Sequence, residues 1–115
     1  MKLLNLFGVA LFLFATTAVA YDTTYLVPIK EYGDITQAVE LPASKSTITI
    51  RGTDNQKLSC AIFDAATGNE ASPKLDQTSL CLFNSNMPHL SKVLVKVHNH
   101  SDIVLQLYIQ VVDAT

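Results

Sequence analysis

Tryptophan is absent from the 115 residues, and glycine, proline, cysteine and charge are sparse. Four glycines and four prolines are too few for a collagen-like or low-complexity chain. Charged residues make up 16% of the sequence and form no block of one sign, which excludes a disordered acidic or basic tail. The length suits one small domain and excludes a large multidomain enzyme. There is no internal repeat, no CxxC pair, no GxSxG nucleophile turn and no EF-hand spacing.

The hydrophobic residues are abundant but unevenly placed. They make up 49% of the chain, and mean hydropathy is +0.27. Much of that sits in the first twenty residues, MKLLNLFGVALFLFATTAVA. Lys2 is a short positive start, residues 3–14 are almost unbroken apolar chain, and Ala18-Val19-Ala20 is a small-x-small cleavage site. Together these predict an export signal. The rival reading is a retained anchor, because an apolar stretch this long is at the lower limit of a spanning helix. The residue directly after the cleavage site is Tyr21 and not cysteine, so a lipid anchor is not expected. The expected division is a signal helix over 1–20 and a single domain over 21–115, secreted or periplasmic.

Without the leader, 95 residues remain, roughly 43% of them hydrophobic, an ordinary globular value. Only Lys2 is lost among the charges, so ten acidic residues face seven basic ones. That balance argues against nucleic acid and anionic membranes as partners. Cys60 and Cys81 are the only cysteines and both lie in the exported part. An even count in an oxidising compartment predicts a Cys60–Cys81 disulfide, whereas a metal site or a redox pair has no supporting spacing.

The remaining pattern is one of short apolar runs broken by turn residues. Residues 25–29 read as an edge strand, because Pro28 cannot donate to a central ladder. Residues 35–41 form a second run. Thr47-Ile48-Thr49-Ile50 alternates at period two and is followed by a turn at 52–55. Leu58, Cys60 and Ile62 share one face, and Gly68 suits a positive φ in the next turn. Residues 80–83 are apolar on both faces. Val93, Val95 and Val97 alternate with polar or opposite-facing residues, residues 99–102 break the pattern, and Leu105, Leu107, Ile109 and Val111 alternate again. The two last runs are expected to form a hairpin, with a strand over 103–112 inside a sheet. Period-two runs every ten to twelve residues predict an all-β fold, a small antiparallel β-sandwich or jelly roll.

The segment 45–113 resembles the bacterial pre-peptidase C-terminal domain. The matching pieces are Thr47-Ile48-Thr49-Ile50, the strand 58–64 with Gly68-Asn69, the run 80–83, and the stretch 93–102 followed by 105–111. The resemblance implies a compact jelly-roll-like sandwich on an exported protein, one that binds or assists and carries no catalytic residues. The family's acidic pair is Leu58-Ser59-Cys60 here, so its calcium role does not carry over cleanly.

Few constellations carry chemistry. His98 and His100 are two apart and are weak metal candidates, with His89 or an aspartate as a third ligand. The bland alternative is a pair of solvated turn histidines. Asp64, Asn69 and Glu70 bracket a glycine turn and offer oxygens to calcium, or else simply make turn hydrogen bonds. Asn99-His100-Ser101 fits an N-glycosylation sequon, which has meaning only in a eukaryotic secretory protein. No serine has an assignable His–Asp partner. Tyr21, Tyr25 and Tyr32 offer binding anchors if exposed, but the favoured reading is that they cover the edge of the sandwich.

The expectation is therefore an exported, non-enzymatic accessory or binding module with no cofactor and no catalytic residue. Its partner is an unknown protein or carbohydrate. A small inhibitor of another protein is the first alternative, and a small hydrolase the weaker one. The loops at 52–56, 65–74, 85–89 and 98–102 are the candidate contact segments.

Overall fold

The computed structural model describes residues 22–42, 45–86 and 92–114. The leader, Tyr21, His89 and most of the 85–89 loop lie outside them. Eight strands are present: β1 (Asp22–Ile29), β2 (Asp34–Glu40), β3 (Lys45–Gly52), β4 (Leu58–Asp64), β5 (Leu75–Thr78), β6 (Leu80–Asn86), β7 (Lys92–Asn99) and β8 (Leu105–Asp113). They form two antiparallel four-stranded sheets, β1-β8-β3-β6 in front and β2-β7-β4-β5 behind. The order is that of a jelly roll.

Alternation explains the burial. Each strand turns every second side chain inward. On β8, Leu105, Leu107, Ile109 and Val111 are at most 1% exposed. At roughly 1.5–3 kcal/mol per buried aliphatic side chain, these four contribute on the order of 10 kcal/mol of gross hydrophobic stabilisation. β8 lies between β1 and β3, an interior place that its uniformly apolar face requires. β1 is an edge strand, which tolerates Pro28. The Cys60–Cys81 disulfide is formed, with a Cα–Cα distance of 6.4 Å. It joins β4 in the back sheet to β6 in the front sheet and so ties the two layers together.

Two expectations are corrected here. β7 and β8 are not a hairpin, since β7 pairs with β2 and β4, and β8 with β1 and β3. Residues 100–104 carry the chain across the sandwich from one sheet to the other. Alternation shows which face of a strand is buried, and both buried faces point into the same core. It does not show which strand lies alongside. The second correction concerns Ile103 and Val104. They precede β8 instead of belonging to it and are 38% and 61% exposed.

Candidate functional site

Three connections meet at one end of the sandwich. They are residues 30–33 between β1 and β2, 53–57 between β3 and β4, and 100–104 between β7 and β8. Backbone bonds lock them to each other: Tyr32 N–H donates to Ser101 O (3.0 Å), Asn99 N–H to Gly33 O (2.9 Å) and His100 N–H to Lys57 O (3.1 Å). Gly33 closes its turn onto Lys30 O, and a Cβ there would come within 3.0 Å of that carbonyl oxygen.

Asn99 is the hub of this end. Its side chain is fully buried and makes four hydrogen bonds. Nδ2 donates to Lys30 O (3.0 Å) and Ile103 O (2.9 Å). Oδ1 accepts from Ser101 N–H (2.9 Å) and Ser101 Oγ (2.6 Å). This corrects the glycosylation reading, because the amide a glycan would need is inside the protein with both hydrogens used.

This scaffold presents three exposed apolar or aromatic side chains, Tyr32, Ile103 and Val104, among exposed charged and polar ones that include Lys30, Glu31, Asp54, Lys57 and Asp102. Tyr32 is 61% exposed, and Ile103 and Val104 are exposed on the loop whose Ser101 carbonyl accepts from the Tyr32 N–H. Tyr32 also has φ 51°, a left-handed conformation uncommon for a bulky residue. Such conformations persist only where surrounding bonds enforce them, and they cluster at functional positions. Tyr25, by contrast, is partly buried against the core.

A groove of about 430 Å³ on the outer face of the back sheet runs up to this end. Ala61 and Thr36 are among its small lining residues, and Lys74, Glu70, Lys96 and Asp34 among its charged ones. The Lys96 ammonium sits 4.8 Å from the Phe63 ring centroid. Near the loop end, His98 Nδ1 lies 3.0 Å from Asp34 Oδ1, and the His98 and His100 rings meet edge to face at 4.6 Å. His100 Nε2 lies 2.6 Å from Ser59 Oγ, whose hydroxyl also bonds to Asp76. That hydroxyl, followed by nearby Lys74, holds the Asp76 carboxyl below its ordinary value.

Ser59, His100 and Asp76 resemble a nucleophile set by composition only. In serine catalysis the histidine lies between serine and acid and takes the hydroxyl proton. Here the serine lies in the middle. Its hydroxyl donates to Asp76 and its oxygen accepts from Gln77 N–H (3.3 Å), with His100 Nε2 at 2.6 Å on the other side. The arrangement clamps β5 and the 100–104 loop to β4. Sequence reasoning missed it because the three residues are 17 and 41 positions apart.

The two candidate metal histidines are thus neighbours, but Asp34 and Ser59 each take a ring nitrogen. Among the described residues, no group of three or more His, Cys, Asp or Glu is arranged to hold a metal ion. Asp64 and Asn69 lie at the opposite end of the sandwich in a hydrogen-bonded turn. Asp64 Oδ1 accepts from Ala66 N–H and Asp64 N–H donates to Asn69 O. Gly68 has the positive φ (78°) that its turn requires.

No protein-family model and no curated protein matches the chain. The sandwich is nonetheless shared with solved structures. The Yersinia pseudotuberculosis-derived mitogen superposes with a TM-score of 0.59 at 13% identity, over 81% of this chain and 86% of that one. Aeromonas hydrophila PliG, a periplasmic lysozyme inhibitor of g-type lysozyme, superposes with a TM-score of 0.56 at 15% identity, over 87% of this chain and 93% of that one. The resemblance to the pre-peptidase C-terminal domain therefore holds as far as a β-sandwich, and the chain is similar in fold to two small all-β proteins, a mitogen and a periplasmic inhibitor.

Proposed function

We infer that the protein is an exported, non-enzymatic module that binds a protein partner through its loop end, as a small inhibitor does. The observation that carries this is the exposed Tyr32, held in a left-handed conformation on a loop bonded to the one that exposes Ile103 and Val104, both locked by a buried asparagine. Rigid loops lose little entropy on binding, and tyrosine is among the residues that make the strongest interface contacts. Fold likeness to an inhibitor of g-type lysozyme supports the reading. The Cys60–Cys81 disulfide and the leader-like sequence of residues 1–20 support export. Hydrolysis is disfavoured because the Ser59 hydroxyl donates to Asp76 and its oxygen accepts from Gln77 N–H, so the serine lies between acid and histidine instead of donating to the histidine.

The test places a photo-crosslinking residue at Val104, and separately at Asn69 on the opposite end, in the protein's native secretions. A discrete crosslinked product from position 104 alone is expected. A g-type lysozyme is the first partner to titrate, and Val104→Asp should weaken any inhibition at least tenfold. No product from position 104, or equal products from both positions, overturns the reading.

A further inference from the structure

The outer face of the front sheet carries large apolar side chains that the loop-end reading does not use. Strand register places Leu26, Tyr108, Arg51 and Leu80 in one row across β1, β8, β3 and β6. The next row is Thr24, Gln110, Thr49 and Leu82, and the third is Asp22, Val112, Thr47 and Asn84. Leu26, Leu80 and Leu82 are 60%, 50% and 51% exposed, and the Arg51 guanidinium lies 4.8 Å from the Tyr108 ring centroid.

The first row has a leucine at each edge, with an aromatic ring and a guanidinium in the centre. A two-fold axis parallel to the strands, between β8 and β3, exchanges β1 with β6 and β8 with β3. It would set Leu26 of one copy on Leu80 of the other, and Tyr108 on Arg51. We propose that this face binds a second copy of the chain, face to face about that axis.

The other rows are compatible. A dent of about 190 Å³ is lined by Thr24, Thr49, Arg51, Tyr108 and Gln110. The same axis brings the projecting Leu82 of the second copy over Thr24, at the edge of that dent. Charge agrees as well. Within the three rows the charged side chains are Asp22 and Arg51. Asp22 already accepts from Gln110 Nε2 (3.2 Å) and would meet Asn84 across the interface, while Arg51 exchanges one ring for another. No like charges are opposed. Such a contact is isologous, the form most dimers take.

Strand spacing makes the footprint about 20 Å by 20 Å, below the roughly 800 Å² per partner of a standard stable interface. An area of this size fits a weak, transient contact instead of a permanent dimer. An axis along the strands also leaves both loop ends on the same side of the assembly.

Sedimentation velocity over a concentration series tests this. The wild-type protein should self-associate. Leu26→Asp and Leu80→Lys should each weaken association at least tenfold. The double variant should recover most of it, because position 26 of one copy faces position 80 of the other. Both sites are exposed, and unchanged thermal melts confirm that the variants fold. A wild-type monomer up to about 1 mM overturns the proposal. So does a double variant no better than either single one, or an equal loss on Val104→Asp.

Discussion

Replacing Asn99 with alanine is expected to cost about 3 kcal/mol of stability. The side chain is fully buried and joins two loop segments, 30–33 and 100–104, by four hydrogen bonds. Two of these go to the carbonyls of Lys30 and Ile103, which have other donors at 2.9 Å and 3.4 Å. Their loss should cost about 0.5–1 kcal/mol each. The Ser101 N–H is different, because it is buried and Asn99 Oδ1 is the acceptor it faces. An orphaned donor costs about 1–3 kcal/mol. For a domain of this size, the total should lower Tm by about 12–24 °C. Asn99→Asp keeps the volume but turns an anion toward two carbonyl oxygens, and should be worse than alanine. Urea denaturation at unchanged slope measures both variants. A loss under about 0.5 kcal/mol for alanine, or an aspartate variant as stable as wild type, would refute the hub argument.

Removing the disulfide by Cys60→Ala with Cys81→Ala should cost about 3 kcal/mol from loop-closure entropy across the 21-residue separation, read by the same melts. Asp76 has its folded-state carboxyl value lowered, first by the Ser59 hydroxyl and then by Lys74. Its stabilisation is thus complete above the ordinary carboxylate range near pH 4 and is lost as pH falls through the lower folded value. In NMR carboxyl titrations, Ser59→Ala should move Asp76 back up, and an unmoved titration would contradict the assignment. Leu107→Ala, in the centre of β8, should cost about 2–5 kcal/mol by leaving a cavity, measured by denaturant midpoint.

Much of the sandwich was legible because alternation and burial are the same signal. The Val93, Val95, Val97 and Leu105, Leu107, Ile109, Val111 series gave two strands and their inward faces, and Pro28 gave an edge. The neighbour relations were not legible. Residues 99–102 looked like a hairpin turn since they are polar and short. What makes them an arch is the inward turn of Asn99, which the residue type alone does not reveal. Ile103 and Val104 continued the apolar pattern and so hid the exposed tip. Tyr32 was expected to cover the sandwich edge with Tyr21 and Tyr25, and neither its exposure nor its left-handed backbone was legible. The Ser59, Asp76 and His100 clamp depends on register between elements far apart in sequence, which composition does not encode.

The strand order has a consequence for how the chain reaches this state. β4 and β5 are the one pair of consecutive strands lying side by side; every other ladder joins distant parts of the sequence. β1 must wait for β8, and β2 for β7. Closing such loops before any contact rewards them makes folding slow and all-or-none. No contiguous half of the sequence contains a complete sheet. A chain emerging end-first therefore gains little stable structure until its final strand is available, and then closes in one step.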